Sequence, residues 1–295
     1  MAHLIIIFLM VICLASSSKT DSSQDKGSIT FQHDMTSNHL RQLVNEGNRF
    51  FEAGDYQRAI HYYAKVNKLD SNYIVVYYNS GLAYHKLGRY KKAVECFQKY
   101  LDNDSCYVPA YQSLGDAFYM QSLYNQAIEA KQKALTLQQD NPVIHLNMGL
   151  NLFFVGKVEE AIDHYRKAIQ FKENYTEATY RLGQALAHKG NFKEAYKLFQ
   201  ETITDDSCHA STYYIWGITL YIDGQISKAI KKIEKATEIK IDNALYHQQL
   251  AEMLLEPSAS RDINRAKKEF EIAHQLNPNY PIPTIVRRYR DQPDF

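Results

Sequence analysis

Histidine, cysteine and carboxylate side chains are the groups of this chain that could hold a metal or transfer protons. The 11 His are scattered along the sequence, and none falls in the His-Glu-x-x-His spacing that places two zinc ligands on one helix face. His145 and His247 stand at one place of a recurring pattern where other copies carry tyrosine, which favours packing over metal binding. Cys208 and His209 are adjacent, but no second pair of ligands lies near them, as a zinc site would need. We therefore predict no metal site.

Motifs for nucleophilic catalysis or phosphate binding are also lacking. The sequence contains no Gly-x-Ser-x-Gly and no glycine-rich phosphate loop, and its glycines occur singly. The carboxylates of residues 158–169 (VEEAIDHYRKAI) alternate with basic side chains at helical spacing, which is typical of a solvated helix face. These observations predict that the protein is not an enzyme and that it uses no cofactor.

Three cysteines follow the N-terminal segment, and the recurring pattern keeps them apart. Cys106 and Cys208 occupy the same place in copies that are three repeats apart. If layers of helices are roughly 10 Å apart, their sulfur atoms are separated by roughly 30 Å, which is far beyond the reach of a disulfide. Cys96 lies more than two helical turns before Cys106. We therefore predict three free thiols.

The pattern that positions these residues has a period of 34 residues. One glycine marks each copy, an alanine follows it twelve residues later, and a bulky apolar residue stands four residues beyond the alanine in every copy but the third, which has Lys131. The glycines are Gly47, Gly81, Gly115, Gly149, Gly183 and Gly217, with Ala251 continuing the series; the alanines are Ala59, Ala93, Ala127, Ala161, Ala195 and Ala229.

Each copy has the signals of two antiparallel helices. Its apolar positions fall three and four residues apart, which is the stripe of an amphipathic helix. A glycine near the middle, such as Gly88 or Gly156, supplies a turn. The marking glycine and alanine allow two helices to approach closely. Because one helix pair cannot bury its own apolar face, each copy needs a neighbour to cover it.

Period, glycine, alanine and bulky apolar residues together resemble the tetratricopeptide repeat over seven consecutive units. The resemblance implies an all-α fold of the α-solenoid class, a right-handed superhelix of seven antiparallel helix pairs over residues 39–280. The last unit also ends with the proline that closes repeats of this family, in residues 276–278 (Leu-Asn-Pro).

In this family the first helix of each pair lines a concave groove, so the resemblance implies which residues face it. Aromatic anchors among dispersed amides suit an extended peptide, whose side chains need pockets and whose backbone needs donors and acceptors. Phe154 stands at one such inward position. The predicted peptide-binding residues are Asn45, Asn48, Phe51, Tyr78, Asn79, Gln112, Tyr119, Asn147, Phe153, Tyr180, Arg181, Gln184, Tyr214, Tyr221 and Gln248.

One sub-type of the family, the chaperone-tail binders, clamps a terminal carboxylate with asparagine, lysine and arginine side chains. Asn48 and Asn79 match its two asparagines. Its cationic positions fall on Val44, Pro109 and Ser113, none of which can neutralise a carboxylate. The resemblance therefore does not extend to this clamp.

The sequence thus predicts a non-catalytic scaffold or adaptor that binds an extended segment of a partner protein. The alternative is a structural assembly or biogenesis factor that acts through self-association or through the convex face, which leaves homo-oligomers open. Lys and Arg total 34 and Asp and Glu total 33, a net charge of +1. That balance favours a protein or peptide partner over nucleic acid or an anionic membrane.

The first 38 residues differ from the repeats. Residues 4–15 (LIIIFLMVICLA) form an apolar run that is short for a membrane span and is followed by small residues, so we predict a signal peptide over residues 1–18. Residues 19–38 are polar and predict a flexible linker. Export would place the protein in a periplasm, outside the cell or in the endoplasmic reticulum lumen; an uncleaved membrane anchor is the alternative. No other stretch approaches spanning length, and residues 281–295 predict a C-terminal cap.

Overall fold

The computed structural model describes residues 26–256 and 262–280, with side chains from residue 37 onward. Within these ranges the chain forms helices and turns and no strand. The helices are α1 (Lys26–Glu52), α2 (Tyr56–Leu69), α3 (Val75–Lys86), α4 (Tyr90–Leu101), α5 (Val108–Tyr119), α6 (Tyr124–Leu137), α7 (Pro142–Phe154), α8 (Val158–Phe171), α9 (Thr176–His188), α10 (Phe192–Asp205), α11 (Ala210–Ile222), α12 (Ile226–Ile239), α13 (Ala244–Leu254) and α14 (Ile263–Leu276). Odd-numbered helices are the first helices of the repeats and even-numbered helices are the second.

The chain divides into two compact units, and the first comprises residues 1–76. In it α1 packs against α2. Leu40 and Val44 from α1 meet Tyr63 and Val66 from α2, and all four side chains are buried. The hydroxyl of Tyr63 donates a hydrogen bond to Asn48 Oδ1 at 2.8 Å, so the polar end of this buried ring is satisfied.

The second unit comprises residues 77–295. Among its described residues, each helix from α4 to α13 packs on the next along the chain, and the first helix α9 also contacts the first helices α7 and α11 directly. A contiguous buried cluster that includes residues from Ala134 to Ala266 forms the main core of this unit. Each pair therefore buries its apolar face against its neighbours, as the repeated sequence predicts.

The turn between the two helices of a pair contains a residue with positive φ, a conformation that only some residue types adopt easily. Gly156, between α7 and α8, has φ +81°, a left-handed conformation that glycine reaches without steric cost. Its N–H donates to Phe153 O at 3.1 Å, and the Lys157 N–H donates to Leu152 O at 2.9 Å, which satisfies carbonyls at the helix end. The third repeat has no glycine here and uses Ser122 with φ +60° instead.

The marking glycines lie where the second helix comes closest to the first. A Cβ at Gly81 would lie 2.5 Å from Cε1 of Phe97, and one at Gly149 would lie 2.5 Å from Cε1 of Tyr165. Phe97 and Tyr165 are 0% and 1% exposed. The close approach that the 34-residue pattern predicts is thus confirmed: the bulky residue of the second helix occupies the space that a side chain would need.

The third repeat breaks this rule with a buried lysine. Lys131 takes the place of the ring and lies over Gly115, with its Cγ 2.9 Å from where a Cβ would stand. Its side chain is 2% exposed, and its ammonium forms an ion pair with Asp116, whose side chain is 47% exposed. The charge is therefore neutralised at the edge of the core rather than left alone inside it.

The N-terminal boundary differs from the prediction. Helix α1 begins at Lys26, so residues 26–38, which we predicted to belong to a flexible linker, are helical. Once a helix is nucleated, each further residue adds a hydrogen bond at little cost, and the amphipathic part of α1 supplies the nucleus. The predicted signal peptide (residues 1–18) and C-terminal cap (residues 281–295) lie outside the described residues. Within those residues no helix has both the length and the apolar character to cross a membrane.

Cys96, Cys106 and Cys208 are free thiols, as predicted. Cys106 and Cys208 are exposed, whereas Cys96 is half-buried in α4. Burial raises the pKa of the Cys96 thiol to about 11, so very little of it is thiolate at neutral pH.

His145 and His247 are buried, 4% and 7% exposed, which confirms the prediction that they pack in the core. His145 Nε2 lies 2.8 Å from the carbonyl oxygen of Gln139, so this nitrogen carries the hydrogen and donates. Its Nδ1 lies 2.9 Å from Nδ1 of His164 and must accept from it. In this arrangement the His145 ring is neutral. No group of three or more candidate metal ligands occurs among the described residues.

Acid is expected to weaken the contact between α7 and α8. Burial, and then the neighbouring His145 ring, lower the pKa of His164 from 6.5 to about 4. Lys167 acts in the same direction, while Asp163 and Glu160 oppose it. Burial also lowers the pKa of His145. The unfolded chain therefore takes up protons before the folded one, and stability that is complete above pH 6.5 falls as the pH drops towards 4.

The size of this effect can be measured by thermal unfolding at pH 7.5 and pH 5. We expect the wild type to lose about 1–2 kcal/mol between these pH values, allowing for the partial exposure of His164. The His164→Gln variant should lose less over the same interval, because its amide does not titrate. Equal losses in both proteins would show that another group controls the acid response.

Candidate functional site

The candidate site is a stripe of side chains that crosses the first helices α5, α7, α9, α11 and α13 of the second unit. It consists of the residues that lie six and two residues before and one and five residues after the marking glycine, or after Ala251 in α13. None of these side chains is buried. We call the stripe the first-helix surface: Pro109, Ser113, Asp116 and Met120 from α5; Val143, Asn147, Leu150 and Phe154 from α7; Glu177, Arg181, Gln184 and His188 from α9; Ser211, Ile215, Ile218 and Ile222 from α11; Leu245, Gln249, Glu252 and Glu256 from α13 and its end.

Aromatic rings cover the part of this surface between α5 and α9. Phe154 is 52% exposed and stacks on Tyr124, with ring centroids 5.2 Å apart. Tyr119 meets Phe154 edge-on at 5.6 Å. Phe153 meets His188 of the next first helix at 5.5 Å. Three consecutive first helices are therefore joined by ring contacts, and one face of Phe154 remains open to solvent.

Polar groups on α9 form a network of their own. Arg181 Nε donates to Glu177 at 2.7 Å, and its Nη1 donates to Gln184 at 3.2 Å. The guanidinium lies 4.9 Å from the centre of the Tyr180 ring. The side chain of His209, with its Nε2 3.8 Å from Glu177 Oε2, and then Arg181 hold the pKa of Glu177 below its usual value. The predicted site residues Arg181 and Gln184 are thus brought together and mutually satisfied.

Tyrosines and carboxylates occupy the end of the surface at α11 and α13. Tyr214 stacks on Tyr246 with centroids 4.7 Å apart. The Tyr221 hydroxyl donates to Glu256 at 2.5 Å, and Gln248 Nε2 donates to Glu252 at 2.9 Å. The predicted residues Tyr214, Tyr221 and Gln248 therefore surround two carboxylates.

Two of the predicted aromatic binding residues, Tyr180 and Tyr78, pack against other side chains of the protein more than they face solvent. Tyr180 is 5% exposed, and Tyr78 packs against Phe97, Tyr100 and Tyr107 with centroids 5.8, 5.6 and 5.2 Å apart. Burial raises the pKa of Tyr78, and it raises the pKa of Tyr180 to about 12. Both tyrosines stand three residues before a marking glycine, about 60° around the helix from it, and so turn partly towards the second helix.

The remaining predicted residues are dispersed. Asn45, Asn48 and Phe51 belong to the first unit, where Asn45 is exposed and Phe51 meets Tyr56 edge-on at 5.2 Å. In the second unit Asn79, Gln112 and Asn147 are half-buried. Of these three, only Asn147 belongs to the first-helix surface.

Several exposed residues of this surface were missing from the predicted site. The apolar ones are Met120, Val143, Ile222 and Leu245, which are 48%, 44%, 67% and 40% exposed, and the charged ones are Glu252 and Glu256. They stand at the same repeat positions as Phe154, Glu177 or Gln184. Counting every inward position in every repeat, rather than choosing aromatic and amide residues, would have found them.

Known protein families and solved structures include proteins built from the same kind of helix pair. The family model described as "Tetratricopeptide repeat" matches residues 74–105, and the model described as "TPR repeat" matches residues 47–88 and 155–190. The solved structure of MamA is 30% identical to the chain, covers 56% of it, and is itself covered over 96% of its length, with a TM-score of 0.53. The chain belongs to the tetratricopeptide repeat family.

Other structures of tetratricopeptide repeat proteins are similar as well. YrrB, described as a tetratricopeptide repeat protein with an unusual peptide-binding site, is 25% identical with a TM-score of 0.52; the match covers 62% of this chain and 95% of YrrB. A tetratricopeptide repeat protein from Parabacteroides merdae has a TM-score of 0.70 over 84% of this chain and 96% of its own, but its 14% identity supports the fold alone. A search of curated proteins found no match.

Tetratricopeptide repeat proteins are generally non-catalytic scaffolds for interactions between proteins. The predicted all-helical solenoid class is confirmed by the helices of this chain and by its structural neighbours. Membership of the family therefore assigns the chain to proteins that bind protein or peptide partners.

Proposed function

We propose that this protein is a non-catalytic scaffold that holds an extended segment of a partner protein along its first-helix surface. The observation that carries the proposal is the exposure of large apolar side chains at the C-terminal ends of the first helices α5, α7 and α11. Met120, Phe154 and Ile222 leave about half or more of their surface in water. Clustered exposure of this kind costs solubility unless a partner covers it.

The polar members of the surface suit an extended backbone. Asn147 and Gln184 carry amides that both donate and accept hydrogen bonds, and each is half-buried beside apolar neighbours. An extended segment leaves its own N–H and C=O groups unpaired, so amides at intervals of one repeat can satisfy them. The described peptide-binding site of YrrB, at 25% identity, supports a peptide ligand for this chain as well.

Export belongs to the same proposal. It rests on the apolar run of residues 4–15 and the small residues after it. N-terminal sequencing of the mature protein from its native source should begin near residue 19. A mature chain that retains residues 4–15 would favour the membrane-anchored alternative.

Because buried tyrosines such as Tyr180 also pack the core, exposed residues are the better ones to substitute in a binding test. The Phe154→Ser, Ile222→Ser double variant removes two apolar contacts of the first-helix surface without disturbing the core. In cross-linking pull-downs from native cells, we expect it to lose the partner that the wild type captures. The control is the Leu137→Ser, Leu276→Ser double variant. It changes two exposed leucines at the ends of second helices, which are 43% and 42% exposed.

The outcomes separate the two functions considered from the sequence. Loss of the partner in the first variant alone supports binding at the first-helix surface. Equal capture by both variants would place the contact on another face. Capture of nothing but further copies of the chain would favour the assembly factor.

A further inference from the structure

The charge of the first-helix surface changes from one helix to the next. The four members from α7 and the four from α11 are all uncharged, and most of them are apolar. Phe154 and Ile222 are the most exposed of the two sets, at 52% and 67%. These helices offer two apolar strips for bulky side chains of a ligand.

The charges on α5 and α9 are already neutralised within the protein. Asp116 pairs with Lys131, and Glu177 pairs with Arg181 at 2.7 Å. A ligand charge at either place would have to compete with an existing ion pair, so neither place selects strongly for a charged partner.

The two carboxylates at α13 are different because neutral groups hold them. Glu252 accepts hydrogen bonds from Gln248 at 2.9 Å and from Gln249 at 3.0 Å, and Glu256 accepts from Tyr221 at 2.5 Å. Neither carboxylate is within ion-pair distance of a cation among residues 37–256 and 262–280. The hydrogen bonds fix the oxygens in place, and no cation within the described part of the chain compensates the negative charge.

The field of these carboxylates is evident at the neighbouring tyrosines. The hydrogen bond to Glu256, burial, and the charges of Glu256 and Glu252 all raise the pKa of Tyr221. Burial chiefly, and then Tyr246 and Glu252, raise the pKa of Tyr214. Aromatic rings beside fixed negative charge form a favourable environment for a lysine or arginine side chain.

We propose that the segment bound by the first-helix surface carries a lysine or arginine that lies against Glu252 and Glu256, next to bulky apolar residues that cover α11 and α7. This inference rests on the proposed function and adds the chemistry of the ligand. Opposite charge selects the basic residue, and the two uncharged helices select its apolar neighbours.

The spacing of the ligand follows from the spacing of the helices. Neighbouring first helices are roughly 10 Å apart, and an extended chain advances about 3.3 Å per residue. The basic residue should therefore stand about three residues from the apolar residue over α11, and about nine residues from the one over α7. Either chain direction satisfies this spacing.

The test is selection from a displayed library of random peptides about 15 residues long, which reach ~50 Å when extended. The full chain is used as wild type and as three variants. Glu252→Gln, Glu256→Gln removes the two charges and keeps the shape. Phe154→Ser, Ile222→Ser removes the apolar strips. The matched control removes two exposed carboxylates from second helices: Glu95→Gln, Glu129→Gln.

We expect the wild type to enrich peptides that share a basic residue about three positions from a bulky apolar one. Synthetic copies should bind the Glu252→Gln, Glu256→Gln variant about fivefold more weakly and the control variant with unchanged affinity. Selection on the uncharged variant should no longer enrich the basic residue.

Three results would overturn the inference, and they separate it from the proposed function. Peptides that need Phe154 and Ile222 but share no basic residue would overturn the ligand chemistry and leave the scaffold intact. Peptides that bind the Phe154→Ser, Ile222→Ser variant as tightly as the wild type would contradict both proposals. A library that yields no binding peptide from the wild type would also contradict both.

Discussion

Replacing Gly149 with alanine is expected to lower the free energy of unfolding by about 2 kcal/mol. The new Cβ would lie 2.5 Å from Cε1 and 2.7 Å from Cδ1 of Tyr165, well inside the separation at which carbon atoms attract. Tyr165 is 1% exposed, so its ring cannot move aside without parting α7 from α8. Alanine is a better helix former than glycine by about 1 kcal/mol, which offsets only part of the cost.

Chemical denaturation followed by circular dichroism measures this change, and the chain supplies its own control. At Gly115 the added Cβ would meet the flexible Lys131 side chain, with its nearest atom at 2.9 Å. Gly115→Ala should therefore cost clearly less than Gly149→Ala. In a Tyr165→Ala background, Gly149→Ala should cost nothing, because the ring is gone. Equal costs at the two glycines would contradict the overpacking argument.

Removing the carboxylate that faces Lys131 is the second change with a large expected effect. Asp116→Ala should lower the free energy of unfolding by about 2–4 kcal/mol, because it leaves a buried ammonium without a counter-charge. The cost falls somewhat short of a fully buried pair, since the Asp116 side chain is 47% exposed. Asp116→Asn keeps the shape and should be nearly as destabilising.

The reverse change should stabilise the protein. Lys131→Phe restores the ring that Phe97 provides over Gly81, and replacing a buried ion pair by well-packed apolar groups commonly gains about 1–3 kcal/mol. In this background Asp116→Ala should have little effect, because its partner is absent. A destabilised Lys131→Phe variant would mean that the space over Gly115 has closed around the thinner lysine chain.

The helix pairs were predictable because their signals are local in the sequence. Gly149 and Tyr165 are sixteen residues apart, so a single helix–turn–helix unit brings them together, and the same register places Lys131 over Gly115. The start of α1 was not predictable in this way. Residues 26–38 carry no apolar period, and their helical state follows from continuation of the amphipathic segment after them.

The candidate site was predicted less completely, and helical geometry explains why. The inward positions were treated as one set, although each residue turns the helix by about 100°. Tyr180 is about 60° and Phe154 about 140° from the glycine direction, so the first turns towards the core and the second towards solvent. Whether Glu252 and Glu256 have a cationic partner depends on which side chains neighbouring helices place opposite them, and no local pattern records that.

The packing of each helix on its neighbours has a consequence for how such a chain changes in evolution. In the second unit each helix pair packs on its neighbours along the chain and needs no contact with distant pairs. If one complete 34-residue copy were deleted or duplicated, the helix pairs brought together would therefore still present equivalent packing faces to each other. Each added copy would lengthen the first-helix surface by roughly 10 Å, or about three residues of extended ligand. Duplication of a repeat in the gene can therefore lengthen the binding surface in fixed increments without any change to the core.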